Sequence, residues 1–145
     1  MVKSKFAISV HILSLLATGQ EEWISSESLA GSLNANPALV RKELGALRAA
    51  GLVESKEGKN GGSRLTRPTT EILLSDIFAA IKEEHIFSYA PNEPSADCPV
   101  GRQINQTLNG LFCHIDDSVH TCLQNISLAA FCAQFTACNA KKAGA

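Results

Sequence analysis

The chain places a helix-turn-helix pattern directly before a strand-turn-strand pattern, and this order constrains the fold most. Ser25 or Ser26 can cap a short first helix. Asn36 followed by Pro37 puts a favoured N-cap residue before a proline at the first helical position of a second helix. That second helix is expected to end at Gly51, because glycine suits the left-handed conformation beyond a helix end. Two short helices therefore meet through a tight turn.

The second helix is expected to be amphipathic. Its apolar residues are predicted to face the core: Leu39, Val40, Leu44 and Leu47. Its outward residues are predicted to be Ala38, Arg41, Lys42 and Arg48. The pattern then changes to a short strand at 52–54, a glycine-rich turn into a second strand at 58–65, and a closing proline at Pro68. This pattern predicts a β-hairpin after the helix pair.

Further helices are expected on both sides of this unit. Residues 1–19 resemble a secretory signal, but Phe6, Val10, Leu13 and Ala17 recur at helical spacing. Ser9 and Ser14 interrupt the apolar run, which favours a core helix. Another helix is predicted from Ser75 to His85, through Lys82. The prolines that follow indicate a linker.

A long apolar stripe is the main feature of the C-terminal part. Its residues recur every three or four positions: Val100, Ile104, Leu108, Leu111, Ile115, Val119 and Leu123. One small domain cannot cover this stripe, so a second copy of the chain is the expected cover. A last short helix is predicted around Leu128, Ala129, Phe131 and Phe135. The expected organisation is a DNA-binding domain at 1–87, a linker at 88–99, and a dimerisation helix with a C-terminal helix at 100–145.

Composition excludes several classes of protein. The 145 residues are 45% hydrophobic and 19% charged, as expected for a globular domain. No apolar run reaches the roughly 18 residues that a membrane-spanning helix requires, so no membrane partner is expected. Five cysteines are an odd number in a chain with ample core, which suggests reduced thiols and a cytoplasmic location. Sequence motifs typical of enzymes are missing, so catalysis is not expected.

Charge is distributed unevenly along the chain. The net charge is +3 for residues 1–67 and −4 for residues 68–145, and seven basic residues oppose three acidic ones within 36–67. A local cationic surface of this kind suits the phosphate backbone of double-stranded DNA. Arg41 could contact guanine or clamp a phosphate, and the sequence leaves both open. The candidate DNA contacts are Asn36, Ala38, Arg41, Lys42, Arg48, Lys59, Asn60 and Arg64.

Four segments resemble the Rrf2 (Rrf-two) family of bacterial transcription regulators. They are KFAISVHILSLLA, SSESLAGSLNANPALVRKELGALRAAGLVES, GKNGGSRLTRP and ILLSDIFAAI, within 5–81. The resemblance implies a mainly α fold with a small β-hairpin wing, in which a winged helix-turn-helix domain precedes a long C-terminal dimerisation helix. It also implies homodimers on palindromic operators, usually repressors that respond to redox, iron, nitric oxide or sulfur status. The wing departs at Ser63, where an aromatic residue is common.

The resemblance also raises the question of a cofactor. Several relatives hold an iron–sulfur cluster through three closely spaced cysteines near the start of the long helix. Here only Cys98 lies in that region, and Cys113 follows fifteen residues later. No cofactor is therefore expected. The alternatives are a regulator that depends on a metal or an iron–sulfur cluster, and a winged module that binds only proteins.

Cys98 is the candidate for direct thiol-based redox sensing. Pro99 at the first helical position would make Cys98 the N-cap of the long helix, where free N–H groups and Arg102 would favour the thiolate, although Asp97 opposes this. Cys113 and Cys122 are possible second thiols. A metal site is a weaker alternative and would use Cys113, Asp117 and His120 at i, i+4 and i+7. His11 and His85 are expected to be packing or surface histidines with no special role.

Overall fold

The computed structural model describes residues 2–19, 21–81 and 85–143, and these ranges contain six α-helices and one antiparallel hairpin. The helices and strands are α1 (Val2–Thr18), α2 (Ser26–Leu33), α3 (Pro37–Ala49), β1 (Val53–Lys56), β2 (Gly62–Leu65), α4 (Leu74–Ile81), α5 (Ile104–Leu123) and α6 (Leu128–Ala143). A 3₁₀ turn at Thr69–Glu71 precedes α4. The predicted fold class is confirmed: the fold is mainly α, with a hairpin wing and a long C-terminal helix. Within the described ranges, no helix is long and apolar enough to cross a membrane.

Capping residues set the limits of α2 and α3. The Ser25 hydroxyl accepts a hydrogen bond from the Ser28 N–H at 3.1 Å, and Asn36 Oδ1 accepts one from the Ala38 N–H at 2.8 Å. Each bond satisfies an N–H group that has no partner inside the helix. After α3, Gly51 has a φ of +79°, which L-residues with side chains rarely adopt. The predicted start and end of the helix pair are therefore confirmed.

The hairpin is attached to the loop before α2. Its register pairs Val53 with Leu65 at the base of the wing. Ile24 and Ser63 exchange two backbone hydrogen bonds of 3.0 and 2.8 Å, so the loop is joined to β2 by a single antiparallel bridge. A Cβ on Gly62 would lie 2.3 Å from the Ile24 carbonyl oxygen, so this close approach requires glycine. The wing is consequently held at its base from two sides.

One hydrophobic core joins the helices of the N-terminal half. The fully buried side chains come from α1, α2, α3, α4, the hairpin and the turn before it, and include Leu13, Leu16, Leu29, Val40, Leu47, Leu52, Val53 and Ile77. Leu128 at the start of α6 is also fully buried in this core. Backbone bonds from the Leu74 N–H to the Ile126 carbonyl (2.9 Å) and from the Leu128 N–H to the Ile72 carbonyl (2.7 Å) fix that position. The start of α6 therefore packs against the winged half.

One prediction about α3 is wrong. Leu39 was expected to face the core, but its side chain is 38% exposed, whereas Glu43 is buried. At 100° per residue, Glu43 lies closer than Leu39 to the line through Val40, Leu44 and Leu47. Helix geometry therefore decides which side chain is buried, and residue polarity does not override it here.

Two predicted helix limits are also corrected. The helix expected from Ser75 to His85 is α4, which begins at Leu74 and ends at Ile81, and the predicted position of Lys82 lies outside the described residues. His85 lies outside the helix. The long helix was expected to begin at Pro99 with Cys98 as its N-cap, but α5 begins at Ile104.

Successive turns between residues 96 and 103 account for the later start of α5. They include a backbone bond from the Arg102 N–H to the Cys98 carbonyl at 2.9 Å and one from the Gln103 N–H to the Val100 carbonyl at 3.0 Å. A Cβ on Gly101 would lie 2.7 Å from the Ser95 carbonyl oxygen, so these turns fold back closely on the preceding segment. The proline at 99 therefore begins a turn and not the helix.

Candidate DNA interface and thiol site

The exposed surface of α3 carries the cations that the sequence predicts there. Arg41, Lys42 and Ala38 are exposed, whereas Val40 between them is fully buried. Asn36 is exposed as well, and its side-chain oxygen is used to cap the helix. Leu39 adds an exposed apolar side chain beside these residues. The first turns of α3 thus present cationic and apolar groups of the kinds that contact base edges and thymine methyl groups.

Arg41 has an acidic partner on α2 that sequence reasoning missed. Its Nη2 donates a hydrogen bond to Glu27 Oε1 at 2.9 Å, and both side chains are more than half exposed. The pKa of the Glu27 carboxyl is lowered, first by a hydrogen bond from its own backbone N–H and then by the bond from Arg41. Glu27 is therefore ionised at neutral pH. Because fourteen residues separate the pair, no helical spacing indicates it.

Arg48 connects α3 to the wing. Its Nη1 donates to the Ser55 hydroxyl at 3.1 Å, and that hydroxyl lies 3.1 Å from the Ser63 hydroxyl on the opposite strand. Ser63, the position at which the wing sequence departs from the resemblance described above, is buried. The hydroxyl pair and the backbone bonds to Ile24 occupy this part of the wing base.

The tip of the wing carries two of the predicted DNA contacts. Lys59 and Asn60 are exposed there, and Asn60 adopts a left-handed φ of +67°. Asparagine tolerates this conformation better than most residues, which suits a tight turn. Lys59 can therefore reach a neighbouring phosphate or groove from the end of the hairpin.

Arg64 lies at the base of the wing and makes three contacts. Its Nε donates to Glu54 Oε1 at 2.5 Å across the β1–β2 pair, and its Nη1 donates to the Glu21 carbonyl at 3.4 Å. The guanidinium carbon lies 4.2 Å from the centroid of the Trp23 ring, within the range of a cation–π interaction. Trp23 and Glu54 were missed by sequence reasoning, although the register that opposes Glu54 to Arg64 follows from the hairpin. Arg64 is thus engaged by neighbouring groups.

Cys98 lies in the turns that precede α5, where its thiol is exposed. The Gly101 N–H donates to Cys98 Sγ at 3.3 Å. The sulfur therefore faces a backbone N–H as predicted, but in a turn and not at the first residue of the long helix. Arg102 is exposed one turn later.

The remaining predicted thiol and metal residues lie on α5. Cys113 and Cys122 are exposed free cysteines, and Asp117 and His120 are exposed as well. Among the side chains that the structure describes, no three His, Cys, Asp or Glu residues form a group that could hold a metal ion.

A polar cluster around His85 is the main feature that sequence reasoning missed. His85 Nδ1 lies 2.6 Å from Asp116 Oδ2, and its Nε2 lies 2.9 Å from Asn109 Oδ1. Asp116 is 3% exposed, and its Oδ1 accepts a bond from the Ile86 N–H at 3.1 Å. The hydroxyl of Tyr89 donates to Asn109 Oδ1 at 3.2 Å. We call these residues the His85 cluster.

Aromatic packing supports the His85 cluster. The rings of His85, Phe87 and Tyr89 lie 5.6, 6.2 and 5.2 Å from the buried Phe112 ring, measured between centroids. The cluster attaches the segment that follows α4 to the middle of α5. His85 is therefore a packing histidine, one of the two roles that the sequence predicts for it, and it also makes polar contacts with Asp116 and Asn109 that the sequence does not predict.

The helix pair, the wing and their exposed cations define the class of the protein. A capped helix-turn-helix followed by a β-hairpin, with arginine and lysine on the second helix and a lysine at the wing tip, is a winged helix-turn-helix DNA-binding unit. A sequence model described as "Rrf2: Iron-dependent Transcriptional regulator" matches residues 2–134, and the chain belongs to this family of transcription regulators. The family and the named relatives are regulators and not enzymes.

Known proteins resemble the chain over most of its length. YwnA of Bacillus subtilis (strain 168), described as an HTH-type transcriptional regulator, is 35% identical over 126 residues, which cover 86% of this chain and 89% of YwnA. A Lactobacillus plantarum crystal structure described as a transcriptional regulator has a TM-score of 0.76 and 29% identity, covering 91% of this chain and 89% of its own. The oxidized form of Staphylococcus aureus CymR has a TM-score of 0.64 and 26% identity, covering 91% of this chain and 95% of CymR.

The description of the family model names iron, so the side chains of this protein must supply suitable ligands if it binds an iron group. An iron–sulfur cluster needs several thiolate or imidazole ligands close together. Cys98 is the only cysteine before α5, and the described side chains contain no group of three suitable ligands. The described residues therefore do not fit such a group.

Proposed function

We propose that the chain is a homodimeric cytoplasmic repressor that binds a palindromic operator, and that oxidation of Cys98 changes its occupancy of the operator. In this proposal, α3 of each subunit enters the major groove and the wing contacts the adjacent backbone or minor groove. The observation that carries the proposal is the exposure of Arg41 and Lys42 on α3 and of Lys59 at the wing tip. Helices fit the major groove, and side chains in their first turns reach base edges there.

Arg41 is proposed as the main base contact. Its planar guanidinium can donate two parallel hydrogen bonds to O6 and N7 of guanine, which lysine cannot do with the same geometry. Lys42, Arg48 and Lys59 are proposed to contact phosphates, which sets the register of the protein on DNA without reading the sequence. Ala38 lies in the same first turns of α3 as Arg41, and Asn60 follows Lys59 at the wing tip. Both are proposed to add contacts to DNA at these two places.

Arg41→Ala tests this assignment. We expect operator affinity to fall roughly 10- to 100-fold, because a bidentate contact to guanine contributes about 1–3 kcal/mol of discrimination. Affinity for a scrambled duplex of the same length should fall much less. Fluorescence anisotropy at fixed salt, with an operator selected from a random library, measures both.

Arg102→Ala is the matched control, because it removes the same charge from an exposed turn outside the helix-turn-helix and the wing. We expect it to retain operator affinity within about threefold. Sequence-selective binding by Arg41→Ala at the level of the unaltered protein would contradict the proposed contact.

The homodimer is supported by the apolar surface of α5. Leu111 is 52% exposed, and Val100 just before the helix is 68% exposed. Ile104, Leu108 and Ile115 are half-buried on neighbouring positions of the helix. Two copies of this surface facing each other would remove it from water. Binding to adjacent half-sites of a palindromic operator then requires the two copies of α3 to lie about one turn of DNA, ~34 Å, apart.

Cys98 is proposed as the redox sensor. Its thiol is exposed, so a peroxide can reach the sulfur. The thiol is then oxidised to sulfenic acid while the peroxide is reduced to water or an alcohol, and condensation with a second thiol would release water and form a disulfide. Cys113 or Cys122 could supply that thiol. The existence of an oxidized form of S. aureus CymR supports a redox response in a relative of similar fold.

Cys98→Ser should keep the operator affinity of the reduced protein and lose its response to peroxide. The serine hydroxyl can still accept the Gly101 N–H bond but cannot form a sulfenic acid. The measurement is operator affinity before and after peroxide treatment, with recovery by dithiothreitol.

Cys132→Ser serves as the control, since this half-buried thiol on α6 is not part of the proposed switch. It should respond to peroxide like the unaltered protein. An equal peroxide response in Cys98→Ser would exclude Cys98 as the sensor.

A further inference from the structure

We propose that Glu27 is a positioning residue for Arg41 and thereby determines how strictly the protein distinguishes its operator from other DNA. This inference rests on the proposed contact between Arg41 and guanine. Glu27 lies in the first turn of α2, and its Oε1 holds Arg41 Nη2 at 2.9 Å. Glu27 and Arg41 are 66% and 56% exposed, so the pair lies at the surface that the proposed function turns toward DNA.

The carboxylate of Glu27 lies on a surface that is proposed to bind the negatively charged DNA. It repels phosphates and offsets one of the cations that attract any duplex, so it lowers non-specific affinity. A lower affinity for DNA is compatible with function when the affinity for other sequences decreases more than the affinity for the operator. The negative charge of Glu27 offsets the positive charge of Arg41 and so weakens the attraction between Arg41 and a DNA phosphate.

The geometry of arginine allows Glu27 and a base to be bound together. A guanidinium has five N–H donors in a planar fork, and the bond to Glu27 uses one nitrogen, Nη2. The remaining donors can address O6 and N7 of guanine. Because Glu27 already restricts the side chain, less rotamer freedom is lost when the base contact forms.

The pair persists over the pH range of a DNA-binding experiment. The pKa of Glu27 lies below its ordinary value of 4.5 because of the bond from its own backbone N–H and the bond from Arg41. A carboxyl with a lowered pKa keeps its pairing above that ordinary value and loses it only as the pH falls through the lowered pKa. Glu27 is therefore charged at about pH 6 to 8, and specificity should not change over that interval through this residue.

A double-mutant cycle with the full-length protein tests the inference. Affinities for the selected operator and for a scrambled duplex are measured for the unaltered protein, Glu27→Gln, Arg41→Ala and the double variant, each at several salt concentrations. We expect Glu27→Gln to bind the scrambled duplex more tightly and to reduce the operator-to-scrambled affinity ratio about 10-fold. The salt slope for the scrambled duplex should rise by about one, since Arg41 keeps at most a neutral hydrogen-bond partner and its uncompensated charge gains a phosphate contact.

Glu71→Gln is the matched control, because it removes one negative charge from an exposed side chain outside the helix-turn-helix. It should leave the affinity ratio and the salt slope unchanged. In the Arg41→Ala background, Glu27→Gln should have no larger effect than Glu71→Gln, because its role depends on the guanidinium.

Two outcomes would overturn the inference. An unchanged or increased affinity ratio in Glu27→Gln would show that Glu27 does not determine specificity. An equal decrease in both Arg41 backgrounds would show that Glu27 acts without Arg41. Failure of the proposed function itself has a separate signature, namely full selective binding by the single variant Arg41→Ala.

Discussion

Asp116→Ala is expected to lower the free energy of unfolding by about 3 kcal/mol. The buried carboxylate makes hydrogen bonds with His85 and with the Ile86 N–H, and its removal takes both bonds away from a partly buried site. The methyl group of alanine fills little of the space that the carboxylate leaves beside His85. Urea unfolding of the full-length protein, followed by circular dichroism, gives the change directly.

Asp117→Ala provides the control one residue further along α5. Asp117 is exposed, so this substitution removes the same charge with an expected change within about 0.5 kcal/mol. Equal stabilities for Asp116→Ala and the unaltered protein would contradict the structural role of the His85 cluster. A large loss in both variants would point to the charge of α5 and not to the buried hydrogen bonds.

The loss of stability in Asp116→Ala bears on function because the His85 cluster joins the segment after α4 to the middle of α5. The segment 85–89 directly follows the winged half, and Asn109, Phe112 and Asp116 belong to the middle of α5. The cluster is therefore a physical connection between the DNA-binding elements and the helix proposed for dimerisation. At this position, the His85 cluster can fix the orientation of the DNA-binding elements relative to α5.

Local sequence signals predict the helix-turn-helix and wing because their causes are local. Asn36, Pro37 and Gly51 act through a side-chain cap, a fixed φ and a left-handed φ, each of which depends on a few neighbouring residues. The hairpin likewise follows from a change of period and a glycine-rich turn. The exposure of Arg41 could also be predicted, since it follows from the periodicity of α3.

Contacts between distant residues could not be predicted in this way. His85 and Asp116 are 31 residues apart, and Arg41 and Glu27 are 14 apart on different helices, so no spacing rule relates them. The expected cap at Cys98 fails for a different reason. Proline is favoured at the first helical position, but it is also favoured in turns, and the close packing of Gly101 on Ser95 fixes the turn here.

Leu111→Glu is expected to convert the proposed dimer to a monomer and to abolish operator binding. A glutamate at this position would place a charge inside the apolar surface that two α5 helices share, and burying an unpaired charge is strongly unfavourable. A loss of about 3 kcal/mol corresponds to a dimer dissociation constant raised more than about 100-fold. Light scattering after gel filtration should give twice the mass of the 145-residue chain for the unaltered protein and a single mass for the variant.

Gln106→Glu separates this effect from the added charge. Gln106 is an exposed residue of α5, and at 100° per residue it lies on a different face from Leu111. It should remain dimeric and bind the operator normally, because its charge stays in water. A Leu111→Glu protein of unchanged mass and operator affinity would show that the subunits do not meet through this face. If the variant were a folded monomer that still bound the operator at full strength, two-fold binding itself would be wrong, since one subunit supplies only half of the contacts to a palindrome.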